Sequence, residues 1–196
     1  MGNIIDDIRA NEDTFADRPF NEVDSLALAQ LSYARMPVNV PRLDAEAMDV
    51  DLAMVGVRDL LRAECYDDMF GKVWSPSMNV DLLRAMYESP RWRDLRVGGY
   101  VDEFDPETTK QFSACVFDVG DGSSYVAFRG TDSTIVGWKE DFAMAFRRPV
   151  AAQESAARYL ADIAGRRDGP LMVGGHSKGG NLAVYAAMNC RDAVRK

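Results

Sequence analysis

An α/β fold is predicted, with a partial, mostly parallel sheet preceded by an N-terminal helical region, and three observations predict it. Residues 171–173 are a short apolar run that leads into Gly174-Gly175-His176-Ser177-Lys178-Gly179-Gly180-Asn181, and a helix-forming run to residue 189 leads out. The β-like run 124–129, the amphipathic pattern 151–165 and the strand 171–174 make a βαβ unit whose two strands are parallel. Ahead of residue 95 the periodicity is helical, with turns rich in Pro, Ser and Asn. The 196 residues read as one domain: a mainly helical region at 1–94, then the first part of the core at 95–196.

In chain order, residues 1–20 are acidic with little periodicity and read as a loose arm. Asp24 is placed as the N-cap of a helix to about residue 35, with Val23, Ala27, Leu31 and Ala34 at helical spacing, stopped by Pro37 and Pro41. A second helix is read over 51–70 from Leu52, Val55, Leu60 and Leu61, and a third from Asn79 to Pro90. Residues 96–101 are a strand; 112–119 and 124–128 are strands joined by Gly120-Asp121-Gly122-Ser123, a turn signature at hairpin spacing. Helices follow at 136–146 and 151–165, the second with Ala156, Tyr159, Leu160 and Ile163 on one face. No strand follows the helix that begins at Lys178. The outer edge of strand 171–174 is therefore predicted to be bare and to seek cover, by a partner or a second copy of the chain.

Composition narrows the function classes. The net charge of −8 and the lack of clustered Lys and Arg argue against a nucleic-acid surface. No run approaches the ~20 apolar residues that span a bilayer, so no membrane-spanning segment is expected. Cys65, Cys115 and Cys190 have neither disulfide-framework nor zinc-ligand spacing, and a reduced, cytoplasmic protein without metal or cofactor is expected.

The chemistry is concentrated at Ser177. Gly-x-Ser-x-Gly between a strand and a helix is a nucleophile elbow, in which a strained turn exposes the serine hydroxyl. Gly175 and Gly179 supply the small residues needed where the strand and helix backbones nearly touch. A serine needs a base and oxyanion donors. The backbone N–H of Lys178 fills the first donor position, and Thr131, in the loop after strand 124–129, fills the second. His176 adjoins the serine, where side chains diverge, so it is read as packing or hydrogen-bonding under the turn rather than as the base. Lys178 fails as a base for the same reason. Asp192 is read as a solvated residue, Cys115 as core, and Trp74, Trp92 and Trp138 as apolar anchors.

Two segments carry a resemblance. Phe128-Arg129-Gly130-Thr131, with a Trp and an Asp shortly after, and Gly175-His176-Ser177-Lys178-Gly179-Gly180 resemble the fungal-type class 3 lipases. A closer resemblance is to the bacterial Mbeg-like domain of unknown function in the α/β-hydrolase superfamily. It extends over 24–33, 111–114, Gly137-Trp138-Lys139-Glu140-Asp141, Gln153 and 181–187. The resemblance implies an α/β-hydrolase fold, Ser177 as nucleophile, and Thr131 and Lys178 near the oxyanion. The lipase relatives take their triad Asp and His from downstream of the serine. Here 19 residues follow Ser177 and His176 is the one histidine, so the triad is expected to be completed beyond Lys196 or by another chain. The expected activity is lipase- or esterase-like hydrolysis of a small acyl or lipid substrate. The alternative is a non-catalytic binding protein on a hydrolase scaffold.

Overall fold

The computed structural model describes residues 2–44, 46, 51–132, 134–146 and 149–190. Helix α1 (Ile4–Ala10) and helix α2 (Glu22–Leu31) open the chain. A short strand β1 (Met54–Gly56) is followed by two 3-10 turns, then helix α3 (Tyr66–Phe70) and helix α4 (Pro76–Glu88). Strands β2 (Arg96–Asp105), β3 (Lys110–Asp118) and β4 (Ser124–Phe128) form a meander. Helix α5 (Ile135–Ala143), helix α6 (Ala151–Arg166), strand β5 (Leu171–Gly175) and helix α7 (Lys178–Asn189) complete the order.

The five strands lie side by side in the order β1-β2-β3-β4-β5. β1–β2, β2–β3 and β3–β4 are antiparallel; β4–β5 alone is parallel. This overturns the predicted mostly parallel, α/β-hydrolase-like sheet. For β2–β3 and β3–β4 the reason is connection length: a parallel pair needs a crossover of a dozen or more residues, which their turns lack and which α5 and α6 supply between β4 and β5. β1 and β2 are joined by a long connection and still pair antiparallel. The turns at 106–109 and 119–123 are too short to do anything but reverse the chain. In the second, Gly120 and Gly122 both sit at φ +88°, a conformation open to glycine.

Helices cover both faces. Cys115, Phe117, Tyr125 and Ala127 pack with α1, α2 and α4 on one side. Phe112, Ala114, Val116, Val126 and Phe128 pack with α6 and α7 on the other. The alternation explains why 111–117 read as one unbroken buried run: a strand covered on both faces has no polar side to show. β5 is the outermost strand among the described residues, and its side chains are half-buried throughout.

Several local expectations are corrected. Residues 4–10 form a helix rather than part of a loose arm, because Asn3 and Asp6 make a reciprocal capping box and Ile5 and Ile8 are buried. The cap of α2 is Asn21; Asp24 is its third residue and closes the box from within. Asp24 is also buried against Arg91, whose Nε donates to Oδ1 at 2.9 Å while Nη2 donates to Oδ2 at 2.5 Å. The predicted helix 51–70 is replaced by β1, the 3-10 turns and α3, since Met54–Gly56 finds a better partner in 96–98 of β2 than in itself. Asp192 lies outside the described residues.

Candidate functional site

Ser177 sits between β5 and α7 at φ +57°, ψ −123°, a conformation L-residues rarely adopt. Such strain persists only where the surroundings enforce it, here at some 1–3 kcal/mol. They do so by close approach of backbones. A Cβ on Gly179 would lie 2.1 Å from the Phe128 carbonyl oxygen, and one on Gly175 would lie 2.5 Å from both that oxygen and the Gly179 carbonyl carbon. Any side chain at either position would push β4, β5 and α7 apart and open the turn. Gly179 N–H donates to the His176 carbonyl and Gly180 N–H to that of Ser177, at 3.0 Å each, which winds the first turn of α7 directly from the elbow. The Ser177 side chain is exposed and makes no cap to the helix.

The loop after β4 lies against this turn. A Cβ on Gly130 would meet the Tyr33 hydroxyl at 1.9 Å and the His176 carbonyl at 2.7 Å, and one on Gly179 would come within 3.1 Å of the Arg129 carbonyl carbon. Among the described residues, the backbone N–H groups of Thr131 and Lys178 donate to no protein acceptor. The Thr131 hydroxyl is engaged elsewhere: it donates to Asp141 Oδ2 at 2.8 Å. Asp132 accepts from the Thr134 amide at 2.9 Å and from its hydroxyl at 2.5 Å, which folds the loop into the start of α5.

Lys178 contributes more than its amide. Its side chain turns inward and is 2% exposed. Nζ donates to the Gln111 carbonyl at 2.6 Å, to Gln111 Oε1 at 2.8 Å and to Glu140 Oε2 at 2.8 Å. Glu140, 1% exposed, also accepts the Gln111 N–H through Oε2 and the Ala152 N–H through Oε1, each at 3.0 Å. Thus one buried ion pair ties the elbow to β3, α5 and the start of α6. Loss of water pushes the Lys178 pKa down, and the Glu140 carboxylate opposes that shift. Next to it, Gln153 accepts from the Val150 N–H and donates to Asn181 Oδ1, at 3.0 and 2.8 Å. Spacing gave no cue to these partnerships, because Lys178 and Gln111 are 67 positions apart; the resemblance marked Gln111, Glu140, Gln153 and Asn181 without pairing them.

Tyr33 was likewise missed as a site residue. Its hydroxyl hydrogen-bonds to His176 Nδ1 at 3.1 Å, so His176 is engaged beside the turn, on the far side of 143 residues of chain. Burial raises the Tyr33 pKa, opposed by the neighbouring Arg129 guanidinium. Arg129 is itself buried, and its Nη2 donates to Asp102 Oδ1 at 2.6 Å. Cys115 is enclosed in the core and its thiol is pushed up to about 12 by burial, which leaves it without nucleophilic character. Trp92 is a core anchor, whereas Trp74 and Trp138 stand largely exposed. Lys139 is exposed. Among the described residues no group of His, Cys, Asp and Glu is placed to hold a metal ion, and no helix is long and apolar enough to cross a membrane.

Comparison with known proteins adds a family. The profile of the family described as Mbeg1-like matches residues 86–196, from the end of α4 through the elbow and α7. No curated protein and no solved structure matches the chain.

Proposed function

The chain belongs to the Mbeg1-like family, and we propose that it is a serine hydrolase that cleaves an ester or related acyl substrate through Ser177. The observation that carries this reading is the strained, exposed serine at φ +57° beside two backbone N–H groups that have no protein acceptor among the described residues. In the reaction, Ser177 Oγ attacks the acyl carbonyl as a base takes its proton. The carbonyl oxygen, now negative, accepts from the amides of Lys178 and Thr131, the alcohol leaves, and water releases the acyl group. The likeness of 128–131 and 175–180 to the fungal-type class 3 lipases supports the same assignment of nucleophile and oxyanion donors. His176 adjoins the serine, where side chains diverge, and its Nδ1 is held by Tyr33, so the base is assigned to another group than His176. A cytoplasmic setting agrees with three unpaired cysteines.

A second reading, a binding protein on the same scaffold, is favoured by one observation: among the described residues the Ser177 side chain has no hydrogen-bond partner, basic or otherwise. A fluorophosphonate probe separates the two. Labelling of Ser177 in the wild-type protein, lost in Ser177→Ala, is expected for the hydrolase. Absence of labelling in protein isolated from its own cells sinks it.

A further inference from the structure

Next to the oxyanion loop lies a cavity of about 80 Å³, which Tyr33, Arg35, Lys72, Arg129, Thr131 and Asp132 help to line. Three of its ten lining residues are cations and one is acidic, the other six being neutral and including Met69, Val73 and Trp74, in a chain whose net charge is −8. Such a local reversal of sign concentrates anions at that spot. Among the described residues, Arg35 and Lys72 make no side-chain ion pair or hydrogen bond, so their charges are uncommitted. Asp132, the acidic residue of the lining, is occupied by Thr134. Arg129 is 4% exposed, and its Nε–H, buried, has no acceptor although Nη2 is held by Asp102. A buried guanidinium N–H left unpaired costs stability; the guanidinium adds its positive charge to the wall of the cavity, offset by Asp102. The space is ample for a carboxylate or a phosphate.

The cavity and the elbow share residues. Thr131 lines the one, and its loop packs against the other at Gly130. Tyr33 lines the cavity and reaches His176, the neighbour of Ser177, with its hydroxyl. We propose that this cavity is a subsite for an anionic group, so that the substrate is an acyl ester bearing a carboxylate or phosphate close to the scissile bond. The proposal rests on the hydrolase reading for its link to catalysis, but the anion site itself does not.

The test uses the full chain carrying Ser177→Ala, titrated by calorimetry with inorganic phosphate and, separately, with monomethyl glutarate. Saturable one-site binding of either is expected, with the tighter of the two naming the anionic group. Lys72→Glu and Arg35→Glu, both at exposed positions, are expected to weaken it roughly tenfold or more each without lowering Tm, as loss of a charge-assisted contact does. Arg129→Gln weakens it too, but Arg129 also holds Asp102, so the exposed pair decides. No saturable binding up to about 10 mM, or binding indifferent to both charge reversals, overturns the site. On protein isolated from its own cells, in which fluorophosphonate labels Ser177, the mono-p-nitrophenyl ester of glutarate should be turned over faster than p-nitrophenyl butyrate, and Lys72→Glu should erase the preference. Equal rates overturn the substrate class. If Ser177 resists fluorophosphonate while the anion still binds, the hydrolase reading fails and the anion site stands.

Discussion

Lys178 Nζ lies 2.8 Å from Glu140 Oε2, both side chains almost without contact with water, and Lys178 directly follows Ser177 in the chain. Removing one partner of such a pair strands the other charge, which costs ~3–5 kcal/mol. Lys178→Met and Glu140→Leu are each expected to destabilise by that order in urea unfolding. The double variant is expected to lose less than the sum, with the shortfall giving the coupling energy. Glu140→Leu should be the worse single change, because it also orphans the N–H groups of Gln111 and Ala152.

Strain at Ser177 makes a prediction of opposite sign. At φ +57°, ψ −123° a glycine meets no Cβ penalty, so Ser177→Gly is expected to raise stability by about 1 kcal/mol while abolishing any reaction at this position. Thermal unfolding of Ser177→Gly beside Ser177→Ala checks it, since alanine keeps the Cβ and the strain. Equal Tm values for the two would mean that the turn stores no strain.

Gly179→Ala is expected to be severe. The added Cβ would lie 2.1 Å from the Phe128 carbonyl oxygen, a backbone atom that moves only if β4 moves. Overpacking of this kind costs ~1–3 kcal/mol and is expected to displace the elbow as well. Gly165→Ala, at a position with open space, is the control and should be neutral or slightly stabilising.

Alkaline stability is set in part by Cys115. Its folded pKa is raised from 9.0 to about 12 by burial, so the native state keeps the proton that the unfolded chain gives up. That contribution is whole below pH 9 and falls as pH climbs to about 12, at up to ~1.4 kcal/mol per pH unit. Tyr159, also raised by complete burial, acts in the same direction above pH 10. Denaturant midpoints measured from pH 8 to pH 11 in the wild type and in Cys115→Ala should diverge in shape, with the variant declining less.

What could be seen in the sequence was what neighbours along the chain determine. The β3–β4 hairpin was legible from its Gly-x-Gly turn, and the β4–α6–β5 crossover from a helical face between two apolar runs. The elbow was legible because Gly175 and Gly179 bracket the serine at fixed offsets. The mostly parallel sheet was an over-extension of that one unit to strands whose turns forbid it. β1 was invisible, since three residues carry no period and their partner lies some 40 positions away. Gln111, Glu140 and Tyr33 lie in segments that carry the family resemblance, but their pairing with the site was invisible, since side-chain pairing across a fold leaves no spacing to read.

The strand order has a kinetic corollary. β2, β3 and β4 are joined by short turns, so the centre of the sheet can zip at low loop-closure cost. β1 and β5 are added to its two flanks across long excursions of chain. The serine turn exists only once β5 has docked on β4, with Phe128 already in place to hold it. The tension in the Ser177 backbone is therefore a late-arriving feature, imposed by a platform that has set before it. Mutations in the β2–β4 meander should slow folding, whereas those at the elbow should mainly quicken unfolding.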